Sequence, residues 1–197
     1  MLQSPSDAVV RAFSPHEWRS YRAIRLTALA DSPMAFGSTL AKESNLSDAE
    51  WESRLARGCA SAMEQPLVAD VDGQPVGLAW VRIESSDPAL ANLYQMWVAP
   101  GFRGRGIGRA LLAAAIEWSR LARAAAIELG VTCDTRAMRM YSAAGFEPLA
   151  EPAPPYPGAQ FLGQRMRLVL SILPECRDST RQAANHLIVD EGPRNGV

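Results

Sequence analysis

Val98-Ala99-Pro100-Gly101-Phe102-Arg103-Gly104-Arg105-Gly106-Ile107-Gly108-Arg109-Ala110-Leu111-Leu112 joins a strand-like run to a helical one, and its reading decides the fold. Gly104, Gly106 and Gly108 alternate with larger residues where the helix begins. Glycine lets the backbone approach a ligand closely, and first-turn N–H groups, unpaired within their own helix, point outward at it. Such a turn is a phosphate site. Arg103, Arg105 and Arg109 add three positive charges, and no carboxylate occurs between Asp87 and Glu117, so the turn is locally cationic. A polyanionic ligand is implied. A P-loop would need Gly-Lys-Ser/Thr, and a dinucleotide fingerprint Gly-x-Gly-x-x-Gly; here the third glycine follows the second by two residues. The alternative is a Gly-rich connection ahead of a solvated Arg face. The strand before the turn and the carboxylate-free window argue against it.

Upstream, Ser14-Pro15-His16-Glu17 is a capping pattern that starts a helix, with Trp18, Tyr21, Ile24, Ala28 and Leu29 as its apolar stripe and Asp31-Ser32-Pro33 as its stop. Ser47-Asp48-Ala49-Glu50 opens a second helix through Trp51, Arg54 and Leu55. Residues 67–71 and 76–83 read as a hairpin about Asp72-Gly73-Gln74-Pro75, and residues 92–98 as a third strand. Ile107, Leu111, Ala115, Trp118 and Leu121 form the stripe of the long helix after the turn. A strand over 126–132 and a helix over 135–144 follow, the helix ended by Gly145, which suits a left-handed cap. Five prolines between 148 and 158 make an irregular connection before a last strand over 160–170. The domain therefore spans residues 1–170, with its core over 8–170. Residues 171–197 form a tail, with a short helix over 183–189 as an alternative.

The 197 residues are 48% apolar and 21% charged, a composition that excludes a disordered chain. Twenty basic residues against 21 acidic leave a net charge of −1, which argues against nucleic-acid and membrane partners. The chain shows no apolar run of membrane-spanning length, and Arg11 interrupts the one candidate leader segment, so a cytoplasmic location is expected. Cys59, Cys133 and Cys176 lie far apart and outside any metal-ligand spacing, which supports neither disulfides nor a metal site. Nineteen of the 20 basic residues are Arg and 32 residues are Ala, a bias that points to a GC-rich bacterial genome.

The turn resembles the pyrophosphate signature of the GNAT superfamily of acyl-CoA-dependent N-acetyltransferases, Gln/Arg-x-x-Gly-x-Gly/Ala after a strand ending in Val, here Met96-Trp97-Val98-Ala99-Pro100 with Arg103 to Gly108. Ile24 to Leu29 with Ser32 to Gly37 is similar to the first helix and substrate-side loop of bacterial members. Leu129-x-Val131-x-x-Asp134-x-x-Ala137-x-x-Met140-Tyr141-x-x-x-Gly145-Phe146 resembles the fifth strand and following helix, with Asp134 where the family usually has Asn and Met140 where it often has Leu. Asp134 also reads as a helix N-cap. The resemblance implies an α/β fold with a mixed, mainly antiparallel sheet of six or seven strands flanked by helices and splayed between the fourth and fifth strands. It also implies direct acetyl transfer from acetyl-CoA, a co-substrate, to a primary amine of a small molecule or peptide N-terminus in a ternary complex. A homodimer is the assembly considered.

On that resemblance the N–H groups of Arg103, Gly104, Arg105, Gly106, Ile107, Gly108 and Arg109 hold the pyrophosphate, and the edge at Met96, Trp97 and Val98 pairs with the pantetheine arm. Asp134 and Ala137 flank the cofactor, and an N–H near Val98 polarises the thioester carbonyl. Tyr141 stands where family members protonate the leaving thiolate; its alternative is an aromatic packed on the core. The fourth strand lacks the Glu that many relatives use as base. Glu43, Glu84 and Asp87 are candidates through water or are ordinary surface carboxylates, while His16 and His186 lie in a helix start and the tail. Trp18, Met34, Phe36, Tyr94 and Trp97 are candidates for an apolar acceptor site or for the core. The runner-up function is a non-catalytic acyl-CoA-binding sensor or interaction module.

Overall fold

The two hairpin strands are apolar almost without interruption over residues 67–69 and 76–81, and successive side chains point to opposite faces, so a single sheet acquires an apolar surface on each face and needs helices on both. The computed structural model describes residues 8–155 and 159–170. The strands are β1 (Val9–Ala12), β2 (Glu64–Val71), β3 (Gln74–Glu84), β4 (Asp87–Val98), β5 (Ala126–Thr132), β6 (Glu147–Pro148) and β7 (Gly163–Val169). The helices are α1 (Trp18–Asp31), α2 (Leu40–Ser44), α3 (Asp48–Ala60), α4 (Ile107–Leu121) and α5 (Arg136–Ala143). The sheet has seven strands in the order β1-β2-β3-β4-β5-β7-β6, with β4 and β5 parallel and the other neighbours antiparallel. This is the expected mixed sheet.

Leu67, Ala69, Ala79, Val81 and Ile83 face one core with Leu111, Ala115 and Ile127, under α4. Val68, Leu78, Trp80 and Trp97 face the other, with Tyr21, Ala28, Trp51 and Leu55 of α1 and α3. The buried residues of α1 include the whole expected stripe, but also Arg25. Gly58 lets α3 lie against the Trp80 indole, since a Cβ there would fall 2.3 Å from the ring. The capping box of α3 is made: Ser47 N–H donates to Glu50 at 2.7 Å and Glu50 N–H to Ser47 Oγ at 3.3 Å.

The differences from the expected elements have local causes. The helix at Ser14 begins as a 3-10 turn, Pro15–Glu17, before α1. β1 is a four-residue edge strand without alternation, and α2 is a five-residue helix capped by Thr39; both are too short for periodicity to mark. β4 starts at Asp87 rather than Asn92, because Ser85-Ser86-Asp87-Pro88 has the composition of a turn although Asp87 already pairs with Glu84. Thr135, not Asp134, caps α5, its Oγ1 accepting from Met138 N–H at 3.1 Å, while Asp134 sits at φ +59°. Gly145 takes the left-handed conformation expected of it, φ +92°. The last strand begins at Gly163, and β6 with one isolated bridge, Ala153 to Gly163, is all the sheet that forms in the described part of the Pro-rich connection. No helix among the described residues is long and apolar enough to cross a membrane. The proposed tail at 171–197, with Cys176, His186 and its alternative helix, lies outside the described residues.

Candidate active site

β4 and β5 pair only from Leu90–Ala126 to Leu93–Leu129. Beyond that point β4 continues with β3 to Val98 and β5 with β7 to Thr132, so the two strands part and leave a cleft of about 1750 Å³ between them. A β-bulge lies at the fork. Leu78 faces Trp97 and Trp80 faces Tyr94, so Gln95 and Met96 together oppose Ala79, and Gln95 takes φ +55°. The bulge is held from α1, where the Tyr21 hydroxyl donates to Gln95 Oε1 at 3.0 Å. Nothing in the composition of Asn92 to Val98 marks Gln95 for this conformation.

At one end of the cleft, β4 runs through a 3-10 turn into α4. Gly104 and Gly106 adopt φ +80° and +84°, and Gly106 is the residue preceding the helix. A Cβ at either would meet no other atom within 4 Å, so backbone conformation and the open space beside the loop set the requirement for glycine. Gly108 differs. Its conformation is helical, but a Cβ would lie 3.3 Å from Met140 Sδ, so this glycine lets α4 approach α5. None of the N–H groups from Gly104 to Arg109 donates to a backbone carbonyl, and the ladder resumes with Ala110 N–H to Gly106 at 3.0 Å. Six consecutive donors are therefore free for an anion.

Asp31, at the C-terminal end of α1, organises this loop. Its Oδ2 accepts from Trp97 Nε1 at 2.8 Å, from Ser32 Oγ at 2.6 Å and from Arg103 Nη2. Burial opposes the charge, but these three donors outweigh it and hold the Asp31 carboxyl below its ordinary range. Arg103 also donates from Nε to the Val98 carbonyl at 2.8 Å. The Arg103 side chain therefore fixes the loop to α1 and β4, and Asp31 neutralises one of the three charges that the sequence window leaves without a partner. The Arg105 guanidinium lies over the Phe102 ring at 5.1 Å.

Of the residues singled out from sequence, Met96, Trp97, Val98, Arg103, Gly104, Gly106, Gly108, Arg109, Ala137 and Tyr141 line the cleft together. Arg105, Ile107 and Asp134 do not: Ile107, the first residue of α4, turns into the core, and Asp134 faces solvent in the turn before α5. Tyr141 is 5% exposed and packs on Phe146 at 5.8 Å between ring centroids, and its hydroxyl has no hydrogen-bond partner among the described residues. Burial pushes its phenol well above the ordinary tyrosine value, so the proton stays on oxygen. Packing on Phe146 and a protonated, unpaired hydroxyl coexist in this residue.

The other end of the cleft is built from residues distant in sequence. Phe36, Tyr94 and Trp97 line the cleft, whereas Trp18 and Met34 do not. Glu43 lines it and is 4% exposed, but accepts from Arg25 at 2.7 and 3.2 Å and from Arg54 at 3.0 Å. Burial opposes its charge, and the two guanidinium groups outweigh that and hold its pKa down. Glu64 accepts from Trp80 Nε1 at 2.8 Å, and the buried Glu128 is paired with Arg165 and Arg167. Glu84, Asp87 and His16 do not line the cleft. The sequence assigns no place in the site to Arg25, Arg54, Glu64, Glu128 or Arg165. For Arg25 a signal was present, since it lies four residues from both Tyr21 and Leu29 on the apolar stripe of α1.

The same architecture occurs in solved structures. An acetyltransferase of the GNAT family from Streptococcus pneumoniae superposes with a TM-score of 0.71 at 19% identity, over 84% of this chain and 100% of that one. A putative acetyltransferase from Salmonella typhimurium, determined with its cofactor acetyl-CoA, superposes with a TM-score of 0.68 at 20% identity, over 84% and 95%. Mycothiol acetyltransferase from Renibacterium salmoninarum is 27% identical over 147 residues, 72% of this chain and 41% of that protein. The chain spans about two-fifths of the length of such curated relatives. The family model described as "Acetyltransferase (GNAT) family" covers residues 26–146, which take in the end of α1, the bulged fourth strand, the glycine turn and Tyr141, and by that match the chain belongs to the GNAT acetyltransferases.

Proposed function

We propose that the protein transfers an acetyl group from acetyl-CoA directly to a primary amine of a small molecule or peptide. The observation that carries this reading is the run of six free N–H groups at the mouth of a cleft that also contains the unbonded hydroxyl of Tyr141. That donor set fits a pyrophosphate, because free N–H groups at a helix start and two left-handed glycines offer backbone, rather than side chains, to the anion.

Acetyl-CoA supplies the acyl group as a thioester, whose C–S bond breaks as the C–N bond to the amine forms. The N–H groups of residues 104–109 bind the pyrophosphate, with Arg109 adding charge at the same end. The edge of β4 from Met96 to Val98, freed by the splay, orients the pantetheine arm, although the Val98 carbonyl is already engaged by Arg103. An N–H of this edge polarises the acyl oxygen. Tyr141, whose hydroxyl is held protonated, gives its proton to the departing sulfur and is reprotonated by the proton that the nitrogen loses as the amide forms. Ala137 borders the same space from α5. Asp134 has no part in this arrangement. The carboxylates of the cleft, Glu43, Glu64 and Glu128, each hold donors already, and none is assigned as the base.

The same engagement of all three carboxylates is what favours the second reading, a module that binds acyl-CoA without turning it over. Release of free thiol from acetyl-CoA in the presence of a panel of primary amines and short peptides decides. Amine-dependent release is expected. Tight acetyl-CoA binding with no release across the panel selects the second reading.

A further inference from the structure

Resting on the acetyl-transfer reading, we propose that the acceptor amine carries a carboxylate close to its nucleophilic nitrogen, and that Arg54 is the residue that meets it. At the acceptor end of the cleft six cations stand against three carboxylates. Glu64 faces Arg82 at 3.7 Å, Glu128 is paired with Arg165, and Glu43 is shared by Arg25 and Arg54. The cluster around Glu43 therefore holds two buried or half-buried guanidinium groups for one carboxylate. Lys42 and Arg57, which also line the cleft, have no ion pair among the described residues, and the nearby Glu50 carboxylate, which feels the Arg54 charge, accepts from the Ser47 N–H and hydroxyl.

The hydrogen bonds carry the same imbalance. Three side-chain polar atoms among the described residues are buried without a partner, and two of them, Arg25 Nη1 and Trp51 Nε1, belong to this cluster. Both are donors. The Arg54 guanidinium stacks on the Trp51 ring at 4.9 Å, and Arg25 stacks on Phe36 at 4.6 Å, so the surrounding aromatics hold the two cations without supplying acceptors. Both donors are closed off and Trp51 does not line the cleft, so an anion that balances this cluster has to meet it at its accessible member.

Arg54 is the accessible member. Its side chain is 32% exposed, against 4% for Arg25, and it uses Nη1 for Glu43. A guanidinium has five N–H groups in a fork that suits carboxylate, so donors remain for a ligand. Arg54 also faces the Tyr21 hydroxyl, which in turn donates to Gln95 at the bulge. An anion held by Arg54 is thus close to the fork of β4 and β5, where the acyl group is proposed to lie. Within the Glu43 cluster itself the surplus is one charge, Arg25 and Arg54 against Glu43, which a single carboxylate balances. The same surplus disfavours a polycationic acceptor.

The test compares α-amino acids with the amines obtained by removing their carboxyl groups, with an aminoalkyl phosphate and a short peptide amide as further arms. Two readouts are taken: thiol release, and calorimetric titration of the CoA-bound protein. The amino acids should bind and react at least tenfold better than their decarboxylated partners. Arg54→Gln should erase most of that ratio through KM while leaving acetyl-CoA affinity unchanged, and Arg54→Lys should keep part of it. Equal or better binding of the decarboxylated amines overturns the proposal, as does a ratio unchanged in a folded Arg54→Gln protein; preference for the phosphate arm replaces carboxylate by phosphate and overturns it equally. Because the wild-type titration reads binding alone, absence of thiol release counts only against the acetyl-transfer reading.

Discussion

The two ends of the cleft present opposite kinds of surface. The end at the β4–α4 junction offers backbone N–H groups from six consecutive residues, 104–109, whereas the acceptor end is assembled from side chains of α1, α2, α3, β2, β3, β5 and β7. Backbone donors at a helix start are fixed by secondary structure and carry little information about the rest of a ligand. Side chains brought from many elements can be exchanged singly without disturbing the sheet. A fold built this way keeps one ligand constant and is free to vary the other.

The junction between the ends gives the largest expected effect. Tyr141→Phe retains packing on Phe146 and removes the proton donor, so turnover should fall by about 10²-fold, near the lower bound for general acid catalysis, with melting temperature and acetyl-CoA affinity nearly unchanged. The measurement is steady-state thiol release under conditions where chemistry limits the rate. Because burial raises the phenol pKa, wild-type activity should show no loss from this group below its ordinary value of 10.0, the folded enzyme keeping the proton where a free phenol begins to lose it. Unchanged turnover would return Tyr141 to packing alone.

Next comes the backbone end. Gly106→Val places a β-branched residue at φ +84°, where a left-handed conformation costs about 1–2 kcal/mol for an ordinary side chain. The loop should give way, and acetyl-CoA affinity measured by calorimetry should weaken by about tenfold or more. A folded variant with unchanged affinity breaks the claim that backbone N–H groups define this end.

The scaffold of the acceptor end is tested by Gly58→Ala. A Cβ 2.3 Å from the Trp80 ring, itself held by Glu64, must push α3 or the indole aside. Overpacking of this kind costs about 1–3 kcal/mol, seen as a lower melting temperature, while acetyl-CoA affinity should hold.

The smallest effects separate two arginines that look alike in sequence. Arg105→Gln removes an exposed charge, so affinity should fall a few-fold at low salt and recover the difference at high salt, where about 10 Å of screening length at 0.1 M shrinks to about 3 Å at 1 M. Arg103→Gln loses contacts to Asp31 and the Val98 carbonyl, so its few-fold loss should persist at high salt and be shared by Asp31→Asn. Identical salt dependence for Arg103 and Arg105 would mean that the Asp31 anchor does not position the loop.

What the chain determined by itself follows from the range of its signals. The glycine turn, the caps at Ser47 and Gly145, the hairpin about Asp72-Gly73 and the stripes of α1 and α4 are written within a few residues, because hydrogen bonding at helix ends and side-chain periodicity are local. From these, with the family resemblance they support, come the sheet, its splay and ten residues of the cleft lining. β1, α2 and the bulge at Gln95 were out of reach, the first two for their length and the third because a positive φ at glutamine is imposed by Tyr21 and by the register of β3. Long-range charge was equally hidden. Asp31 reaches Arg103 from 72 residues away, and Glu43 gathers Arg25 and Arg54 from 18 and 11 residues away. Coulombic and hydrogen-bond partners are chosen by distance in space, and only the packing of α1 and α3 on the sheet brought these groups together.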